Sequence, residues 1–276
     1  DTRVSDKDIL GVIGTANTED EFFVDLPFYF YNNPELAIPL CSITKQEVEV
    51  EIKIRNHDHL IIKGSTGQLQ PVTPGTIHIK DFRLCTEIVF LDPTERVKFM
   101  KEKKDYIITQ VQQNVFDIPQ GNQEGRFNLD FVNPVRELYF VIQRQGDVGT
   151  GEGQFMTPFD YDNTLADTGG KYILYENLDY LTLDLDGQPI ITRDTGNVNF
   201  LKAVQAAIHH SKTQLIRRFY SYSFALEPEK WYPTGQVNFS LVKEQIVNLS
   251  LTPCVDYARQ FRVYALSHNI LRVSEG

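Results

Sequence analysis

Apolar and polar residues alternate strictly over 46–54, QEVEVEIKI, where Val48, Val50, Ile52 and Ile54 interleave with Glu47, Glu49, Glu51 and Lys53. A period of two predicts a strand with one half-buried face. The three glutamates would share the other face at about 7 Å spacing. A solvated surface is the simplest use for it, an ion site or a basic partner the alternative. Further strand-like runs cover 22–31, 77–90, 106–116, 135–143, 171–185, 217–226, 237–242, 246–251 and 261–273. Helical signals are few. Asp92, Pro93 and Glu95 read as a capped helix start closed by Lys101, Lys103 and Lys104, and 200–208 reads as a short helix. Segments 1–20, 57–74 and 144–170 read as loops, Asp186-Gly187 as a turn, and 117–125, with Pro119, Gly121 and Gly125, as a linker.

One motif occurs twice. Phe30-x3-Pro34-Glu35-x3-Pro39 returns, 194 residues on, as Phe224-x3-Pro228-Glu229-x3-Pro233, each copy behind an aromatic strand-like run. A repeat of that length built from strands predicts a β domain duplicated in tandem. About eight strand candidates in the later ~150 residues fit a jelly-roll sandwich. The expected fold is all-β, a tandem double jelly roll with short helices in its loops. The expected division is 1–116 for the trailing half of the first barrel, 117–125 for the linker and 126–276 for the second barrel. About 100 residues of the second block precede Phe224 but only 29 residues precede Phe30, so the first barrel is expected to be incomplete. A chain that opens at Asp1 without Met is expected to be a fragment or a processed form.

The chain has 276 residues, 41% of them hydrophobic, with 18 Phe and 13 Tyr, enough for ordinary strand-built cores. Its net charge of −10 argues against nucleic acid as a direct partner, because phosphate binding needs clustered Lys and Arg. Cys41, Cys85 and Cys254 form no CxxC pair and are read as reduced, buried thiols. Asn238 and Asn248 head Asn-x-Ser sequons inside strand-like runs and are read as chance matches rather than glycosylation sites. No apolar run reaches the ~18 residues that span a bilayer, and no signal peptide is visible.

Candidate chemistry is thin. His57-Asp58-His59 has a cupin-like spacing, but Lys63 stands where a ligand carboxylate belongs. His209 and His210 are adjacent and point apart. The glycines of 149–153 lack the Gly-Lys-Ser/Thr ending of a phosphate loop. Asp160, Asp162, Asp167, Asp184 and Asp186 supply carboxylates for calcium or glycoside hydrolysis, with loop chemistry the plainer use. No Gly-x-Ser-x-Gly elbow occurs. The reading is therefore no catalytic, cofactor or metal site. Trp231 and Tyr232 serve either an interface or the core.

Together these runs resemble the major capsid proteins of large double-stranded DNA viruses, the iridovirus-like and phycodnavirus-like group. Residues 26–40, with LPFYF and PELAIPL, are similar to the family's aromatic strand and "LALPL" segment. Residues 91–99 resemble its acidic helix, 106–112 its "YLIEQVQ" strand and 129–138 its "LNFNHPVKEL" segment. Residues 220–240 are similar to "YSFALNPEE…QPSGTCNFS", and 264–273 to the closing strand.

The resemblance implies a structural, non-enzymatic major capsid protein. It implies a homotrimer forming a pseudo-hexameric capsomer that tiles an icosahedral virion, with minor capsid proteins as further partners. Assembly would occur in the host cytoplasm, with an internal viral membrane met only indirectly. A carbohydrate-binding or glycan-active β-sandwich is the alternative. It needs aromatic residues on one exposed face and two carboxylates at catalytic separation, and one Trp in the whole chain speaks against it.

Overall fold

The computed structural model describes residues 23–31, 33–53, 79, 81–144, 163–166, 172–212, 218–253 and 258–274. The chain divides into two compact units, 1–104 with 147–158 and 272–276, and 105–146 with 159–271.

The second unit is built on two sheets. One runs β1 (Lys104–Ile118), β11 (Arg259–Val273), β3 (Pro134–Arg144), β8 (Phe219–Ser223), with β9 (Val237–Asn238) extending the β8 edge on β3. The other runs β2 (Glu124–Asn128), β10 (Gln245–Leu251), β6 (Leu178–Leu185), β7 (Gln188–Ile191). A separate hairpin, β4 (Asn163–Ala166) with β5 (Tyr172–Tyr175), lies between β3 and β6 in sequence.

With that hairpin and β9 set aside, eight strands remain among the described residues of this unit. The first neighbours the last, the second the seventh, the third the sixth and the fourth the fifth. That is one long hairpin of four strand pairs wrapped into two sheets, the jelly-roll topology.

Alternation explains the core. In β10 the odd-numbered positions from Gln245 to Leu251 are buried and the others half-exposed. In β11 the same pattern turns Phe261, Val263 and Ala265 inward. Phe116 and Phe261 from the first sheet meet Phe127 from the second at centroid distances of 4.7 and 5.6 Å, so one aromatic stack bridges the layers. Burial of a ring such as Phe261 contributes roughly 1.5–3 kcal/mol.

A bulge interrupts the β3–β11 register, where Leu266 faces Glu137 but Ser267 faces Val135. The extra residue, Arg136, lets Val135 and Leu138 both point into the core although they are three apart. The β6–β7 hairpin turns on Asp186 (φ 49°) and Gly187 (φ 77°), a type I′ pair suited to the twist of its strands. The predicted Asp-Gly turn is thus found.

Within 117–125, read as a linker, the chain turns from β1 to β2. Asn122 N–H donates to Pro119 O at 3.1 Å, and Gly121 takes φ 83°. The strand read over 106–116 lies within β1, which pairs with β11. Its weak alternation arises because β1 is an edge strand, with Ile107, Val111 and Val115 on an open face.

In the first unit the α-helix Pro93–Lys101 (α1) forms where expected, with Pro93 at its first position. Asp92 caps through its backbone, accepting from Arg96 N–H at 2.8 Å, and its carboxylate makes no capping bond. Lys104 closes the helix, donating to Phe99 O at 2.6 Å with its ammonium 4.3 Å from the Phe99 ring.

The strands expected over 22–31, 46–54 and 77–90 are absent among the described residues of these segments. Val48, Val50 and Ile52 are exposed, as are Phe82, Ile88 and Phe90. Alternation selects the face a strand would bury. The ladder itself needs a neighbouring strand, and among the described residues of 23–103 none is paired.

Candidate functional site

The two copies of the repeated motif share local structure. Leu36 N–H donates to Asn33 O at 3.0 Å, and at the matching position Lys230 N–H donates to Glu227 O at 3.2 Å. Proline sets the φ that this turn needs. Two residues before each motif phenylalanine a second ring packs on it, Phe28 on Phe30 at 5.1 Å and Tyr222 on Phe224 at 5.4 Å.

The second copy forms a fastened loop, 224–236. Phe224 and Ala225 N–H both donate to Arg136 O, at 2.8 and 3.2 Å. Arg136 Nη1 donates to Lys230 O at 3.1 Å. Thr234 Oγ1 accepts from Glu227 N–H and donates to Glu227 O, both at 3.0 Å. Gly235 takes φ 150°, and a Cβ there would stand 2.8 Å from Phe224 O, so the loop's closing turn requires glycine.

Beneath this loop lies a buried polar cluster. Glu137, 1% exposed, accepts from Tyr139 Oη at 2.9 Å and from His210 Nε2 at 2.6 Å. His210 Nδ1 faces Glu229 Oε1 at 3.5 Å, and that oxygen also accepts from Ser211 N–H at 3.1 Å. The hydrogen bond to Glu137 raises the pKa of His210 above its ordinary value, against the opposing effect of burial. Burial, reinforced by Glu137, pushes the Tyr139 phenol up.

His210 follows a helical segment that is π-type over Phe200–Val204 and α over Gln205–His209 (α2). A concavity of about 210 Å³ lies here, lined by residues that include Tyr139, Leu201, Lys202, His210 and Phe219. Beside it Glu176 accepts from Lys202 Nζ at 2.5 Å and Tyr220 Oη at 2.7 Å.

Other candidates from the sequence fare differently. His209 and His210 diverge as expected, His209 Nδ1 donating to Leu226 O at 3.1 Å. Asp184 on β6 accepts from Asn248 on the neighbouring β10 at 3.2 Å, a cross-strand contact, and Asp186 Oδ1 accepts from Lys243 and Glu244 N–H at 2.9 and 2.8 Å, which fixes the β6–β7 turn. Asn248 Nδ2 also donates to Thr182 at 3.1 Å. Asn238 Oδ1 caps Ser240 N–H at 3.1 Å.

Glu51 pairs with Lys53 at 3.2 Å on an open surface. Trp231 and Tyr232 are 49% and 43% exposed and edge-to-face at 5.5 Å, so neither belongs to the core among the described residues. The thiols do not match their expected burial, with Cys41 half-buried and Cys85 exposed.

His57, Asp58, His59, Lys63, the glycines of 149–153, Asp160, Asp162, Asp167 and Cys254 lie outside the described residues, as do the segments 1–20 and 57–74 and most of 144–170.

Arg136 and Glu137 carry no role in the sequence reading, and Glu229 enters it only as a position of the repeated motif. The available signal was a charged pair, Arg136-Glu137, inside an otherwise apolar strand.

Fold and site together define a jelly-roll scaffold whose buried polar groups fix loops. The chain belongs to a family described as large eukaryotic DNA virus major capsid protein, which it matches over residues 95–276, and residues 1–92 match the major capsid protein N-terminus. It is 26% identical to the major capsid protein of Pyramimonas orientalis virus, over 95% of this chain and 61% of that one. It is 23% identical to that of Paramecium bursaria Chlorella virus 1, over 95% and 66%. The chain thus spans about two thirds or less of the length of these relatives. Among solved structures it is similar to the PBCV-1 virus capsid, with TM-score 0.54, 20% identity, and 68% of this chain and 53% of that one covered. It is also similar to the Faustovirus major capsid protein, with TM-score 0.51, 13% identity, and 67% and 36% covered.

Proposed function

We propose that this chain is a structural subunit of an icosahedral virus shell, acting as one third of a trimeric, pseudo-hexameric capsomer and catalysing no reaction. The observation that carries this reading is the wrapped four-pair hairpin of 104–273 in a chain whose preceding residues match the family's N-terminal portion. In this reading residues before 105 are the trailing part of a first barrel, and their exposed alternating segments pair with strands supplied elsewhere.

A closed threefold ring uses heterologous contacts that return on themselves. Each contact can be modest because the shell repeats it many times. The open β1 face and the exposed Leu226, Trp231 and Tyr232 are the surfaces best suited to subunit contacts. Other capsomers and minor capsid proteins complete the partner set. Assembly in the host cytoplasm belongs to the same reading, as does an indirect relation to an internal membrane. No helix among the described residues is long and apolar enough to cross one.

Sedimentation or native mass measurement tests the proposal. Three copies of the 31.7 kDa chain give about 95 kDa. A chain that stays monomeric over the whole accessible concentration range refutes it.

A further inference from the structure

His209, the last residue of α2, and His210, which follows it, both grip the repeated loop. His209 Nδ1 donates to Leu226 O at 3.1 Å, and His210 stands between Glu137 on β3 and Glu229 on the loop, at 2.6 and 3.5 Å. Ser211 N–H holds the same Glu229 oxygen at 3.1 Å. On the far side Arg136 holds Lys230 O at 3.1 Å. Between these fastenings the loop displays Leu226, Trp231 and Tyr232, which are 76%, 49% and 43% exposed.

A doubly protonated imidazole donates to both carboxylates at once. A neutral one keeps its single N–H for buried Glu137 and turns a lone pair toward Glu229, so the loop-side contact becomes repulsive. We propose that His210 and Glu229 form a protonation-gated latch, which holds the loop bearing Leu226, Trp231 and Tyr232 rigid when His210 is charged and frees it when His210 is neutral.

The groups that face or flank His210 are Glu137 and Tyr139 from β3, Glu229 from the loop, and Lys202 and Lys212 on the concavity it lines. The two carboxylates dominate at contact distance. Because the folded protein raises the proton affinity of His210, the tightening is fully present below the ordinary histidine value near 6.5. It is lost as pH rises through the raised value. The latch works within the barrel, whether or not the chain assembles.

Trp231 is the sole tryptophan of the chain, so its fluorescence reports this loop alone. Acrylamide quenching of the full chain is followed from about pH 5 to 9. The expected result is one step, with Trp231 more accessible on the alkaline side and a midpoint above about 6.5. His210→Gln is expected to abolish the step and leave Trp231 accessible throughout. Should that variant lose the wild-type far-ultraviolet spectrum, Glu229→Leu serves instead, since it keeps the buried Glu137 contact and removes the loop-side acceptor. Quenching that is flat with pH in the wild type overturns the proposal, and so does a wild-type step retained in the folded variant. A step confined to pH values below about 6.5, where His268 beside Arg136 titrates, also overturns it.

Discussion

Gln245 is the side chain whose removal tests the packing argument most sharply. It is 5% exposed, and its amide pairs like a short strand with the backbone of Phe131. Phe131 N–H donates to Oε1 at 3.1 Å, and Nε2 donates to Phe131 O at 2.8 Å. A weaker bond runs from Nε2 to Phe239 O at 3.3 Å. Gln245→Leu keeps most of the volume but leaves the N–H and C=O of Phe131, itself 2% exposed, without partners. Phe239 O is still served by Val242 N–H at 3.1 Å and adds little.

Two orphaned backbone groups cost about 1–3 kcal/mol each, and the gain from burying leucine in place of an amide offsets part of that. The net expected loss is about 2–4 kcal/mol, or roughly 4–16 °C in Tm for a domain of this size. Urea unfolding followed by far-ultraviolet circular dichroism measures it. Gln245→Glu adds a pH arm, because its carboxylate faces Phe131 O without a donor until it is protonated. That variant should recover stability, relative to wild type, on acidification. A Gln245→Leu variant within about 0.5 kcal/mol of wild type would refute the accounting of buried backbone groups.

Three further outcomes follow from single residues. Gly196→Ala places a Cβ 1.7 Å from Leu181 O and disturbs the Leu181 N–H to Gly196 O bond of 3.0 Å, so the urea midpoint should fall by an equivalent of roughly 2–4 kcal/mol. Arg259, 1% exposed, donates to Thr252 O at 2.8 Å and Asn122 O at 3.0 Å at the barrel end, and Arg259→Met should cost about 3 kcal/mol or more in the same assay. His268 is 5% exposed and, among the described residues, neither ring nitrogen has a hydrogen-bond partner, so His268→Leu should be neutral or stabilising by up to about 2 kcal/mol. Burial, then the charge of Arg136, lowers its proton affinity in the folded state, so wild-type stability from this site is complete above about pH 6.5 and declines below it. Tm measured against pH should show that acid-side decline in the wild type and a shallower one in His268→Leu.

The strands legible in the sequence were those whose alternation meets a partner. The 246–251 run became Gln245–Leu251 and the 261–273 run became Arg259–Val273, each set by a period of two against the core. The equally regular 46–54 run formed no strand among its described residues, because periodicity specifies a face and cannot supply the neighbouring ladder. The weak alternation of 106–116 reflects an edge strand with apolar residues on its open side. The polar cluster was the least legible part. Glu137, His210 and Glu229 stand far apart in sequence and meet only because a bulge at Arg136 and a helix end converge under the repeated loop. The repeat itself was visible, and the matching Leu36 and Lys230 hydrogen bonds give it a physical basis.

The central claim is that this jelly roll is a building block whose shape is its function. Electron microscopy of the purified oligomer tests it most directly. The account predicts a threefold particle with a pseudo-hexagonal outline, each copy contributing this barrel to the ring. Isolated monomers, or an oligomer with only twofold symmetry, would contradict it.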